Sequence, residues 1–227
     1  SAHRIVILGY DEEKGVAYVG DNDRDEVQEC SLASLARARS SEWLPAPADQ
    51  AYYLLSVPAV LTPVEVAIVP AVEEAVRHNI RLSPGHASFE AKGARVALGM
   101  AGVRAFADAL PSYPGSMTEE MLSATCRNIY VSAEKGGTGY GGNFRRMYGR
   151  FLIEAARFEG FGELAAVGRE FVEIGDLWTR MALVFKELSG DGEKAVAEAH
   201  PLAVEAAERE GAAFEDLARI TGDWGAG

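Results

Sequence analysis

The sequence predicts an α+β fold, a small antiparallel sheet followed by a mainly α-helical domain. Three observations carry this. Two apolar runs near the start, Ile5–Leu8 and Val16–Val19, flank a polar turn. From Thr62 onward apolar residues recur at helical spacing. The composition changes from strand-like to helix-like near residues 58–62, which divides the chain into domains over 1–60 and 61–227.

In the first strand Ile5 and Ile7 alternate with Val6 and Leu8, so both faces are apolar and the strand reads as buried. Asp11-Glu12-Glu13-Lys14-Gly15 supplies a turn and its glycine. In the second strand Val16, Tyr18 and Gly20 alternate with Ala17, Val19 and Asp21. Ser31 is a good N-cap for a helix with Leu32, Leu35 and Ala36 on one face. Ala51–Val57, rich in aromatic and aliphatic residues, reads as a third strand.

The remainder reads as helices. Thr62-Pro63 is an N-cap with proline at the first helical position, Pro70 predicts a kink or restart, and Ala71–Asn79 is helical. Residues 81–94 read as a loop. Leu98–Leu110 is amphipathic and stopped by Pro111. Thr118 caps a helix with Glu119 and Glu120 in its first turn, running to about Glu134. A glycine-rich loop over 136–142 precedes a helix from Asn143 to Phe158. Two long helices, Gly162–Leu188 and Glu193–Ile220, finish the chain. Their apolar stripes read as core, the Phe161–Phe185 stretch is long enough to bridge a domain pair or a homo-oligomer, and Glu205, Glu208 and Glu210 read as a solvated acidic face.

Composition narrows the function classes. The 227 residues are 48% hydrophobic and 25% charged, enough for a real core. A formal net charge of −12 argues against nucleic-acid and anionic-membrane partners, which need a basic footprint. It permits a cationic ligand such as an amine. No apolar run reaches the ~18 residues of a membrane helix. Two cysteines, Cys30 and Cys126, make no disulfide framework, fit a reducing cytoplasm and read as small buried hydrophobes. His78, His86 and His200 do not cluster with acids or cysteines at metal-ligand spacing, so no metal is expected, and no cofactor is called for. Ser1-Ala2 reads as a tag remnant or cut site ahead of a strand that begins almost at once, and the chain as part of something longer. The alternative is that Ser1 is an N-terminal nucleophile.

Antiparallel pairing of the first two strands sets the start of one beside the end of the other. His3 and Asp21 then face each other, an imidazole with a carboxylate to orient it, which is the base half of a nucleophilic site. Asn22 and Asp23 are the fallback partners, and turn chemistry alone also explains the Asp-Asn-Asp run. In the glycine loop, Gly-x-Gly-x-x-Gly spans 137–142 and opens a helix, so its amides can receive an anion. It follows a helix and not a strand, which breaks the dinucleotide-binding context. Arg145 and Arg146 come one turn later, placed either for a carboxylate or phosphate or for structural ion pairs.

Two blocks carry a family resemblance. His3–Asp11 with Val16–Asp21 resembles the histidine and aspartate strands of papain-like domains, most closely those of the butirosin-biosynthesis protein H family. The run Ser31–Arg39, and the later Gly137-Thr138-Gly139, Gly142-Asn143-Phe144-Arg145-Arg146 and Tyr148 leading into Phe151–Ala156, resemble that family's continuation and its helical domain. The resemblance implies that residues 1–60 are the C-terminal half of a papain-like domain, with His3 and Asp21 catalytic. It offers Gly139, Asn143, Arg145 and Tyr148 as substrate-binding residues. It implies transfer of an acyl group from an acyl-carrier-protein thioester to an amine acceptor through a cysteine that precedes the histidine. Neither Cys30 nor Cys126 occupies that place in the order, so the segment as it stands is expected to be inactive. Two alternatives stay open, a cysteine peptidase or amidase on the same scaffold and a non-catalytic helical binding or dimerisation module.

Overall fold

The structure is a computed structural model, and it describes residues 4–21, 24–42, 48, 50–54, 56–85, 88–91, 94–135 and 141–222. An antiparallel sheet followed by helices gives the α+β class. The chain forms two compact units, Ser1–Leu61 and Thr62–Gly227.

In the first unit, β1 (Val6–Asp11), β2 (Val16–Gly20) and β3 (Gln28–Ser31) form a sheet of order β1-β2-β3. The turn closes as its residues dictate. The Asp11 carboxylate accepts from Lys14 N at 3.0 Å, and Gly15 takes φ 67°, a left-handed conformation that only glycine adopts cheaply. β1 and β2 pair antiparallel, Val6 opposite Gly20 and Tyr10 opposite Ala17, with a bulge between Ile7 and Gly9. Ser31 caps α1 (Leu32–Arg39) by accepting from Ser34 N at 3.1 Å.

Two expectations fail here. β1 is not a buried strand, since Val6, Ile7, Leu8 and Tyr10 are 48–66% exposed. It has a strand neighbour on one side only, and only β2 contributes buried residues, Ala17 and Val19. The third strand is the polar Gln28–Ser31, not Ala51–Val57. Residues 51–54 and 56–57 form no strand, and Tyr52, Tyr53, Leu54 and Val57 are exposed. β-propensity is realised only against a pairing partner, and Gln28–Ser31 finds one in Val16–Val19 of β2.

In the second unit, α2 (Val64–Leu82) follows Pro63, which is itself the N-cap and offers no side-chain bond, so Thr62 is not the cap. The helix passes through Pro70 without a restart. The carbonyl that loses its partner there belongs to Val66, an exposed residue, where water can replace the bond. The stretch read as a loop, 81–94, instead contains the end of α2 and β4 (Ser88–Ala91), which forms a hairpin with β5 (Ala94–Ala97). Next come α3 (Gly99–Ala109), a tight turn over Leu110–Ser112, α4 (Tyr113–Ser116) and α5 (Glu119–Tyr130). Thr118 caps α5, accepting from Met121 N at 3.3 Å. Then α6 (Arg145–Ala155), α7 (Leu164–Glu187) and α8 (Gly192–Gly222) complete the unit.

The apolar stripe of α7 is the centre of this unit. Leu164, Phe171, Ile174, Leu177, Met181 and Phe185 are essentially inaccessible, packed with Leu152 of α6 and Leu217 of α8. Most large apolar side chains of the Phe161–Phe185 stretch are buried in this core. α6 and α7 run antiparallel at close range because glycines face each other. A Cβ on Gly149 would lie 2.5 Å from the Gly168 carbonyl oxygen, and one on Gly142 would lie 2.8 Å from that of Gly175. On α7 the two contacts sit seven residues apart, two helical turns, so Gly168 and Gly175 share one face, which meets Gly149 of α6 and, ahead of that helix, Gly142.

Candidate functional site

Four consecutive residues between α5 and α6 take positive φ: Gly141 (60°), Gly142 (62°), Asn143 (47°) and Phe144 (68°). Glycine accepts this freely and asparagine tolerates it, whereas for phenylalanine it costs on the order of 1–2 kcal/mol. Such a conformation persists only where the surroundings over-determine it. Three contacts do so here. The Gly142 amide donates to Glu134 Oε1 at 2.9 Å. The backbone of Gly142 lies against that of Gly175. Arg145 Nη1 donates to the Asn143 carbonyl at 2.7 Å.

Glu134 stands in the last turn after α5, Val131–Lys135, where the helix widens to i→i+5 bonding. Turns of this kind recur at functional sites because they redirect side chains without ending the helix. Its Oε1 also accepts from the Thr179 hydroxyl at 2.7 Å, and that hydroxyl accepts from Arg146 Nη2 at 2.6 Å. Arg146 Nε donates to Asp176 at 2.7 Å. The arginine is thereby held against two positions one turn apart on α7.

Arg145 is held more tightly. Its Nε and Nη2 donate to the two carboxylate oxygens of Glu210 at 3.0 and 2.8 Å, a fork geometry suited to guanidinium. The guanidinium also lies 4.9 Å from the Trp178 ring centroid. Glu210 is 4% exposed and belongs to the core face of α8, so it is no part of a solvated acidic face. Burial of a carboxylate is sustainable because Arg145 supplies the opposite charge.

Beside this pair opens a pocket of about 360 Å³. Thr125, Asn128, Ser132 and Asn143 bring hydroxyl and amide groups to its wall, and Phe106 and Trp178 bring aromatic surface. Ile129 and Ala133 complete an apolar side. Among the described residues no charged side chain lines it. The Phe106 and Trp178 rings are stacked with centroids 6.0 Å apart. Trp178 is 7% exposed, and its indole N–H has no hydrogen-bond partner among the described residues.

With this geometry in view, one comparison is informative. A model of the family described as Domain of unknown function (DUF4872) matches residues 33–217. The chain belongs to that family. No curated protein matches the chain, and no solved structure matches it. The DUF4872 match contains every residue of the ion pairs and the pocket, whereas His3 and Asp21 precede it.

The residues singled out from the sequence are distributed as follows. His3 and Gly139 lie outside the described residues, as do Asn22, Asp23 and most of the glycine loop. Asp21 directly follows Gly20, which pairs with Val6. Asn143 lines the pocket and Arg145 braces it from behind. Tyr148 does not join them. It packs in an aromatic cluster with Phe151, Phe171 and Phe214, its hydroxyl buried without a partner among the described residues, and burial pushes its phenol well above the usual range. Cys126 is buried in the DUF4872 core and its thiol is pushed up by that burial, while Cys30 is half-buried on β3. Among the described residues no group of three or more histidines, cysteines or acids is placed to hold a metal. No helix among them is long and apolar enough to cross a membrane.

Sequence reasoning missed Glu134, Trp178, Thr179 and Glu210. For Glu210 a signal was present. It falls in register with Ala203, Ala206, Ala207, Ala213 and Leu217, one acid on an otherwise small and apolar helix face.

Proposed function

We propose that this chain is part of a thiol-dependent acyltransferase, moving an acyl group from an acyl-carrier-protein thioester to an amine. The observation that supports this most is the antiparallel register of β1 and β2. It puts Gly20, the residue before Asp21, opposite Val6, three positions after His3 in sequence. In this reading His3 is the base and Asp21 the carboxylate that orients it. The attacking thiolate forms a bond to the thioester carbonyl carbon, and the carrier thiol departs with a proton. An amine then attacks the acyl-cysteine, forming the amide and regenerating the thiol. Cys126, buried and far from ionising, does not suit the nucleophile, nor does Cys30, which pairs with Ala17 inside the sheet. The thiol in this reading precedes His3 in the parent chain. A reducing, cytoplasmic setting suits the two free thiols.

The test uses the parent protein with an acyl-carrier thioester, followed by intact-mass measurement with and without a primary amine. An acyl adduct discharged by amine supports transfer, and His3→Ala should slow its formation by on the order of 10²–10⁴-fold. Discharge by water alone identifies a peptidase or amidase instead. No adduct under either condition overturns thiol chemistry. One observation favours a second reading, a non-catalytic helical binding module: the helical unit carries its own pocket, and Arg145 is committed to Glu210.

A further inference from the structure

We propose that the pocket walled by Asn143 and Trp178 is a binding site for an uncharged small molecule bearing hydroxyl or amide groups. This stands on the helical unit alone and is independent of the acyl-transfer reading.

The chemistry of the wall selects the class. Asn128, Ser132 and Asn143 carry groups that both donate and accept hydrogen bonds, and Thr125, whose hydroxyl donates to Met117 Sδ at 3.7 Å, adds an acceptor, which matches ligand groups that do the same. Among the described residues the wall offers no opposite charge to a charged ligand, which would lose part of its hydration there without a partner. The guanidinium that lies over Trp178, that of Arg145, is already neutralised by Glu210 in a two-pronged pair. Phe106 and Trp178 supply apolar area for the carbon skeleton. The volume of about 360 Å³ lies at the lower end of the range typical of small-molecule sites, roughly 300–1,000 Å³.

The backbone around the pocket points the same way. Asn143 reaches the wall from a left-handed conformation (φ 47°), and Arg145 fixes it there through the Asn143 carbonyl. Ser132 and Ala133 reach the wall from the widened turn at the end of α5. The indole N–H of Trp178, more than nine-tenths buried, has no partner among the described residues. Strain, a widened helical turn and an unsatisfied donor are each uncommon. The strained turn and the widened helical turn both contribute to the wall of this cavity, and Trp178 lines it as well, and such features are expected to be functional.

The test pairs neutral molecules with charged counterparts of the same skeleton. N-acetylglucosamine is set against glucosamine, an ammonium, and panthenol against pantothenate, a carboxylate, with binding read by ligand-observed NMR. At least one neutral probe should bind with Kd of about 1 mM or tighter, and its charged counterpart at least about tenfold more weakly. Ser132→Trp, a substitution at an exposed position on the rim, should abolish binding by filling the cavity. Asn143→Gly keeps the left-handed turn but removes the amide. It should retain Tm within a few degrees and weaken binding by roughly tenfold. Failure of both neutral probes, equal binding of the charged partners, or unchanged binding by Ser132→Trp would each overturn the assignment.

Discussion

Arg145 and Glu210 stand 65 positions apart in sequence and meet through two parallel hydrogen bonds of 3.0 and 2.8 Å. The pair ties the first turn of α6 to the middle of α8. It also positions two walls of the pocket, since the same guanidinium stacks on Trp178 and holds the Asn143 carbonyl.

Breaking that pair from one side leaves a charge without its partner in a mostly dry site. The Glu210 side chain is 5% exposed and that of Arg145 19%, so the cost belongs at the lower end of the range for buried pairs. Glu210→Ala should destabilise the protein by about 3 kcal/mol, lowering Tm by roughly 6–12 °C for a chain of this size. Replacing both partners, Arg145→Met with Glu210→Leu, should recover at least half of the loss because no charge is then stranded. Urea denaturation of the two variants checks this. Equal stability of the single and double variants would show that the charge is not what matters.

The glycine contacts between α6 and α7 make a sharper steric prediction. A Cβ on Gly149 would sit 2.5 Å from the Gly168 carbonyl oxygen and 2.9 Å from Val172 N, both backbone atoms that cannot rotate away. Gly149→Ala should therefore cost about 2–3 kcal/mol by forcing the helices apart. Gly115→Ala is the control. Its Cβ meets nothing within 4 Å, so it should be neutral or stabilise by roughly 0.4–1 kcal/mol through the unfolded chain. Comparison of urea midpoints at constant m-value decides.

Alkaline pH should weaken the fold through two buried acids. Burial holds the Tyr148 phenol above its ordinary value of 10.0 and the Cys126 thiol above its ordinary 9.0. The unfolded chain ionises both at ordinary values while the folded chain keeps the protons. Their contribution is thus fully present below about pH 9 and is lost as pH rises above it, at up to about 1.4 kcal/mol per pH unit for each group. Tyr148→Phe removes one of the two groups together with a buried hydroxyl that lacks a partner among the described residues. It should raise stability near pH 7 by about 1 kcal/mol and shallow the alkaline fall. Urea titrations from pH 7 to pH 10.5 read both effects, and an unchanged alkaline slope in Tyr148→Phe would exclude the phenol as a source.

Local signals carried most of the element assignments. Ser31 and Thr118 cap the helices their positions predict, because an N-cap bond closes within three residues. The stripe Leu164, Phe171, Ile174 and Leu177 was legible as core for the same reason, helical period acting within one segment. Two of the misassignments, in the first unit, turn on strand partners outside the segment. Ala51–Val57 had strand propensity and no strand to pair with, and the burial of β1 depends on what neighbours it. In the candidate site, Asn143 and Arg145 were marked by the odd composition around the glycine loop. Tyr148 was marked by the same run, yet it packs against Phe171 and Phe214 of α7 and α8, partners that no pattern within the run reveals.

The sequence by itself determined the α+β class, the helices that begin at Leu32 and Glu119, and the stripe on which the helical core is built. All of these follow from hydrogen bonds and periodicity within a few residues. The tertiary structure decided that Glu210 is a buried counter-charge and that Arg145 is a brace for Asn143 and Trp178. It also decided that a neutral pocket opens beside them. Those outcomes require α5, α6, α7 and α8 to meet at distances of a few ångströms, set by glycine contacts and core packing between segments far apart in the chain. No local pattern encodes that approach.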